Sequence, residues 1–281
     1  MQRSQQVMGT VVSFSLREAR NTTIDGAPAQ EPVAGAESAE VAAAIPAAAL
    51  AAADAALERA EAKLRWVDDV FSTYKTESPV SRLRRGEIEL DAAPPEVAEV
   101  LELCRRVKDA SDGWFDPWSM PGGLDPTGLV KGWAAERALD ELKKAGVPAA
   151  MINAGGDITV YGEPEPGQPW RIGVRHPQAA DRLLCIVEIS GRGAVATSGN
   201  YERGLHMLNP NTGEPARALA SATVIGPDLT FADALATALF VSGGEALERI
   251  ARLRGYSAFV VDADGFFRAT RNLPVPFKLA A

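Results

Sequence analysis

The sequence predicts an α+β fold in one compact unit, and three observations carry that prediction. Helix-forming composition gathers between Pro46 and Ala145. Short β-rich runs, separated by glycines and prolines, gather between Ala149 and Ile225. No internal repeat and no regular strand–helix alternation links the two parts. The 281 residues, 46% hydrophobic and 23% charged, supply ample material for one large core, so a single domain over residues 1–281 is the preferred reading.

Taken in order, Val7 to Leu16 is rich in β-branched residues and reads as one opening strand. Residues 20–45 turn to Ala, Glu, Pro, Gly and Thr without periodicity, and read as a flexible insertion with little bulky apolar surface to bury. From Pro46 to Val70 the composition is helical, with Leu50, Leu57, Leu64 and Val67 near one face. A second helix runs from Pro95, a proline suited to a first turn, to Ala110. A third runs from Thr127 to Ala145 and stops at Gly146. Strands follow at Ala149–Asn153, Ile158–Tyr161, Arg171–Val174, Leu183–Ile189, Val195–Thr197 and Ala222–Ile225. Two helices, Phe231–Val241 and Glu245–Arg254, precede a last strand at Ala258–Val261.

Charge and cysteine usage narrow the function. The formal net charge is −8 and no Lys/Arg cluster forms a nucleic-acid footprint, so nucleic acid and anionic membranes are poor partners. An anionic nucleotide stays open, but an acidic protein would recruit a cation to hold it. Cys104 and Cys185 are far apart and read as small buried apolar residues. The first eight residues lack the apolar core of a secretory signal, and no apolar run approaches the ~20 residues of a transmembrane helix. As given, the chain reads as cytoplasmic.

Five islands combine glycine, acid and hydroxyl residues without an apolar period. Phe71-Ser-Thr-Tyr74 with Ser78 and Ser81 reads equally as a helix end passing into a serine-capped helix. Asp112-Gly-Trp-Phe-Asp-Pro117 sets an aromatic pair beside Asp116, suited to a flat heteroaromatic ring or to a buried anchor after a turn. In Leu124-Asp-Pro-Thr-Gly-Leu-Val-Lys131-Gly, Lys131 falls in the first turn of a helix, where the dipole disfavours a cation and an anionic ligand at the helix N-terminus supplies a reason for it. Asp125 there serves as a cap in the plainer reading. Asn153-Ala-Gly-Gly-Asp157 reads as a tight hairpin turn or as a close backbone approach to a ligand. The fifth island holds Ala196-Thr-Ser-Gly-Asn-Tyr-Glu-Arg203, His206, Asn209-Pro-Asn-Thr-Gly213 and Ala232-Asp-Ala-Leu-Ala-Thr-Ala-Leu239. Asp233 and Thr237, four apart on a helix, present a carboxylate and a hydroxyl on one face, which suits Mg²⁺. Read plainly, Asp233 is a favourable first-turn acid and Thr237 bonds back to its own helix. His206, among polar and glycine residues, is a better general-base candidate than His176.

In order along the chain, these islands resemble the FAD:protein FMN transferase (ApbE-like) family. The matching segments are Met8-Gly-Thr, Phe71-Ser-Thr-Tyr74, Gly113-Trp-Phe-Asp116, Asp125 to Gly132, Asn153 to Asp157, Ala196 to Gly199, His206 through Pro210 with Thr212-Gly213, and Ala232 to Thr237. The resemblance implies a T-fold-like α+β domain with helices packed on antiparallel sheet. FAD, the substrate, would lie in a cleft with Mg²⁺, or Mn²⁺, on its pyrophosphate. By motif matching, Met8, Tyr74, Trp114, Phe115, Asp116, Asp125 and Lys131 would line the FAD site, with Met207 or Leu208 against the flavin. Asp233, Thr237 and the carbonyl of Gly128 would bind the metal. His206, Lys131 and Asp233 would carry the chemistry. The implied reaction moves the FMN half of FAD onto a Ser or Thr hydroxyl of an acceptor flavoprotein and releases AMP.

The chain departs from the family in four places, one of them the Ala/Pro-rich insertion after the first strand. Asn209 stands where an Asp is common, Ala236 where an acid often precedes the metal-site Thr, and Tyr201 to His206 is short. Two other readings therefore stay open: an FAD pyrophosphatase giving free FMN and AMP, and a non-catalytic FAD-binding module.

Overall fold

A computed structural model describes residues 1–17, 47–200, 207–273 and 278–279. The predicted insertion at residues 20–45 lies outside these. The chain opens with strands β1 (Gln2–Val7) and β2 (Thr10–Arg17), then helices α1 (Ala47–Phe71), α2 (Pro79–Arg84), α3 (Pro95–Ala110) and α4 (Thr127–Lys144). Five strands follow: β3 (Ala149–Ala154), β4 (Asp157–Tyr161), β5 (Trp170–His176), β6 (Ala179–Ile189) and β7 (Gly193–Gly199). Then come β8 (Leu219–Gly226), α5 (Leu229–Val241), α6 (Leu247–Arg252), β9 (Ser257–Asp262), β10 (Phe267–Ala269) and β11 (Lys278–Leu279).

Every strand pairs antiparallel with its neighbours. Eight form one sheet in the order β1-β2-β3-β4-β7-β8-β9-β10, and a smaller sheet runs β11-β6-β5. The central strands of the large sheet feed two cores by alternation. Ala194, Ala196, Val224, Ala258 and Val260 face the helices. Val195, Ile225, Phe259 and Val261 face the small sheet, against Trp170, Ile172, Val174, Cys185 and Val187. Both faces of these strands are covered, and the sequence marks them as short β-rich runs between glycines and prolines. This is the expected α+β architecture. Leu57, Leu64 and Val67 of α1 are fully buried, and α1 is joined to α4 where the Phe71 and Trp133 rings meet at 5.5 Å.

The opening strand departs from expectation. It is the tip of a hairpin, because Met8 (φ 53°) and Gly9 (φ 67°) both turn through the left-handed region. That is the conformation of a two-residue loop between twisted strands. Gln2–Val7, almost wholly polar, becomes a strand by pairing with β2 rather than by pattern.

Candidate active site

Two hairpin tips lie against each other at one end of the large sheet. Gly155 (φ 63°) and Gly156 (φ 99°) turn β3 into β4, and Gly155 N donates to Val11 O at 3.1 Å. A Cβ on Gly155 would stand 2.2 Å from Thr10 Oγ1, so only glycine lets the tips approach. The Met8-Gly-Thr and Asn153–Asp157 segments are thus one structure. Gly156 N donates to Asn153 Oδ1 at 2.8 Å and closes the second tip.

That turn delivers Asp157, the first residue of β4, to the helix-covered face. Asp157 Oδ1 accepts from Thr197 N at 2.8 Å, and its Oδ2 pairs with Lys131 Nζ. The same ammonium lies 3.1 Å from Asp233 Oδ1, while Asp233 Oδ2 accepts from Gly132 N at 3.0 Å. Both carboxylates are 5% exposed. Lys131 and Asp233 are each the fifth residue of a helix, and their helices meet at Gly132. A Cβ there would stand 2.4 Å from the Leu229 carbonyl oxygen and 3.0 Å from Asp233 Cβ. Close helix contact therefore sets the distance between ammonium and carboxylate.

The sequence leads one to expect an anionic ligand beside Lys131, whereas the structure sets two carboxylates of the chain itself there. The plainer reading of Asp233 as a first-turn acid does not hold. Helix α5 begins two residues earlier than expected, and Asp228 is its cap, accepting from Phe231 N at 3.0 Å. Asp233 is left with no capping duty and faces α4. Asp125 does have a local role: its Oδ1 accepts from Thr127 N at 3.0 Å and Thr127 Oγ1 at 2.6 Å, leading the chain into α4.

Two buried carboxylates against one ammonium leave an excess of negative charge, with Ser198 and Thr237 hydroxyls 3.5 Å apart alongside. This all-oxygen donor set suits a hard divalent cation. No three His, Cys, Asp or Glu side chains among the described residues are grouped to hold a metal. Asn200, two residues beyond Ser198, donates from Nδ2 to Ala216 O at 2.9 Å, while its buried Oδ1 has no partner among the described residues. A buried acceptor of that kind calls for a donor or a cation.

The aromatic segment packs over the start of α4, with the Phe115 ring 3.1 Å from the position a Cβ on Gly128 would take. Phe115 belongs to the core, whereas Trp114 is only half-buried. Asp116 is fixed locally: Oδ1 accepts from Trp118 N at 3.0 Å and Oδ2 pairs with Lys108 Nζ at 2.6 Å. Tyr74 is 95% exposed just past α1, and Ser78 caps α2 by accepting from Ser81 N. Met8 is half-buried at the hairpin tip. Met207 is 9% exposed within the helix-side core, its carbonyl accepting from Ala216 N at 2.9 Å. Asn209 builds the following turn, its Oδ1 accepting from Asn211 N at 2.9 Å. His206 lies outside the described residues.

Sequence reasoning missed Asp157 as a site residue. The one signal was an acid directly after a Gly-Gly tip at the head of a strand, and a turn explains that equally well. Asn200 lies within the fifth island but is not singled out there as a site residue.

Comparison with known proteins matches the ApbE family model to residues 8–123 and 119–260. An FAD:protein FMN transferase of Rhodobacter capsulatus is 36% identical over 159 residues, 53% of this chain and 30% of that protein. One from Salmonella typhimurium is 30% identical over 152 residues, 50% of this chain and 43% of that one. The matched segments therefore span less than half the length of these relatives. The crystal structure of the ApbE protein from Thermotoga maritima superposes with a TM-score of 0.75 at 22% identity, covering 96% of this chain and 97% of that one. The apo flavinyl transferase ApbE of Pseudomonas stutzeri gives 0.72 at 24% identity, covering 96% and 94%. With a family model matched along most of its length, the chain belongs to the ApbE family.

Proposed function

We propose that this protein transfers the FMN moiety of FAD onto a Ser or Thr hydroxyl of an acceptor flavoprotein, releasing AMP. The supporting observation is the buried Asp157–Lys131–Asp233 cluster, whose lysine reaches both acids from the start of α4. The names of the relatives point the same way.

In this reading Asp233 and Thr237, with the Gly128 carbonyl, would hold Mg²⁺ or Mn²⁺. Such an ion, when bound, supplies positive charge to the FAD pyrophosphate. Lys131 offers its ammonium to the same phosphates, held in place by Asp157. Trp114, Tyr74 and Met8 present surface to the flat rings, and Asn200 Oδ1 offers an acceptor. A hydroxyl is a weak nucleophile at neutral pH, so His206 takes its proton as the oxygen attacks the phosphorus of the FMN half. The new O–P bond forms, the P–O bond to AMP breaks, and AMP leaves.

The test is AMP release from FAD with Mg²⁺, with and without a peptide carrying a Ser/Thr acceptor motif. AMP together with a peptide mass increase equal to FMN supports transfer. AMP with free FMN alone turns the assignment to a pyrophosphatase, and FAD binding without AMP turns it to a binding module. In the same assay His206→Ala should slow transfer far more than it weakens FAD binding. Equal losses would make His206 a binding residue.

A further inference from the structure

The geometry points to Glu136 as a positioning residue that sets the spacing of the two acids on Lys131, an inference that rests on the transfer reading for its kinetic arm alone. Glu136 lies on α4 one turn beyond Gly132 and is 6% exposed. Its Oε1 accepts from Thr159 Oγ1 at 2.8 Å and from Leu229 N at 2.6 Å, and its Oε2 pairs with Arg192. Thr159 stands two residues after Asp157 on β4, so the two side chains share a face. Leu229 stands four residues, about one helical turn, before Asp233 on α5. Helix α4 therefore grips the same two elements twice. Lys131 takes their functional acids, and Glu136 takes the neighbouring hydroxyl and amide.

The second grip does what the first cannot. Lys131 is a long, flexible side chain, and a ligand phosphate or metal near it competes for the same acids. The polar partners of Glu136 are Thr159, Leu229 N and Arg192 rather than Lys131, so its hold on β4 and α5 persists while the Lys131 contacts change. One carboxylate oxygen shared by a strand hydroxyl and a helix amide fixes both elements to α4 at a single point. Arg192, bonded to the other oxygen and 3.6 Å from Asp140, balances the buried charge.

The test compares Glu136→Leu, Glu136→Gln, Thr159→Val and Arg192→Met in the full chain. Its first readout needs neither activity nor ligand. The Thr197 amide, which donates to Asp157 Oδ1, reports the acid's position through hydrogen exchange, with amides of β5 and β6 in the other core as reference. Glu136→Leu should speed Thr197 exchange about tenfold or more relative to that reference, and Thr159→Val should speed it less. Glu136→Gln keeps an acceptor for both donors and should restore most of the protection. Arg192→Met leaves the Oε1 bonds intact and should leave Thr197 near wild type.

In the transfer assay Glu136→Leu should lower kcat about tenfold or more while KM for FAD moves about twofold at most, since small displacements act on chemistry more than on binding. Thr197 exchange that moves only in step with β5 and β6, or that is lost equally in Arg192→Met, overturns the inference. If Glu136→Leu does not fold, Thr159→Val decides on the same criteria. A wild-type protein without transferase activity overturns the function instead and leaves the exchange result standing.

Discussion

On the helix-covered face of the large sheet, Glu136, Asp157 and Asp233 are buried among aliphatic side chains. On the opposite face, Trp170, Ile172, Val174, Val187 and Phe259 pack with no carboxylate among them. These are the three buried acids among the described residues, and all lie on one face of the sheet. Burying an acid costs free energy unless partners satisfy it, and here Lys131, Arg192 and three backbone amides do so. The small-sheet face needs only complementary packing. The contrast separates a face tuned for geometry from one tuned for cohesion, and it can be tested by damaging each in turn.

The largest effect belongs to Asp233→Ala, which removes one acid from Lys131 and leaves Gly132 N without its side-chain acceptor. Metal-dependent AMP release should fall about a thousandfold, because charge stabilisation at the reacting phosphates goes with it. Unchanged turnover would refute the metal assignment. Gly132→Ala should follow, since its Cβ meets the Leu229 carbonyl oxygen at 2.4 Å and pushes α5 from α4. We expect AMP release to fall about a hundredfold, from misplacement alone, and urea unfolding to register about 1–3 kcal/mol of lost stability. On the other face, Val187→Ala should cost about 2 kcal/mol in urea unfolding by leaving a cavity. Its kcat should match wild type, and a fall in kcat comparable to that of Gly132→Ala would abolish the distinction between the faces.

The smallest effect treats the faces alike. Burial pushes the thiols of Cys104, in the helix-side core, and Cys185, in the small-sheet core, up to about 12. Neither should react with a thiol reagent at neutral pH until the protein unfolds. A folded value raised above the ordinary 9.0 means that this contribution is fully present below pH 9.0 and is lost as pH rises toward about 12. Unfolding free energies measured in urea on both sides of pH 9.0 check that sign. Rapid labelling of one thiol alone would show that its core opens locally.

Several helices were legible from apolar residues at helical spacing, and most strands from short β-rich runs between glycines and prolines. Helix α3 spans Pro95–Ala110 as its proline start and its spacing predict, and α4 ends one residue short of expectation. Pattern failed where partners define the element. Strand β1 carries no alternation of its own, and β10 is a three-residue edge with every side chain exposed. Met8 hid the first hairpin, because methionine is not a residue that pattern assigns to a left-handed turn.

The candidate site divides along the same line. Residue types and local spacing alone marked Lys131 as a cation that an anionic ligand would explain, and set Asp233 and Thr237 on one helical face. The short motifs in order carried a resemblance to the family, and the family model matched along the chain shows it. Only tertiary structure decided which anions meet Lys131, because Asp157 and Asp233 lie 26 and 102 residues away and arrive through a hairpin turn and a helix contact. Glu136 was invisible for the same reason. A buried acid in an Ala-rich helix looks like a solvated one until the amide and hydroxyl that satisfy it are brought to its side.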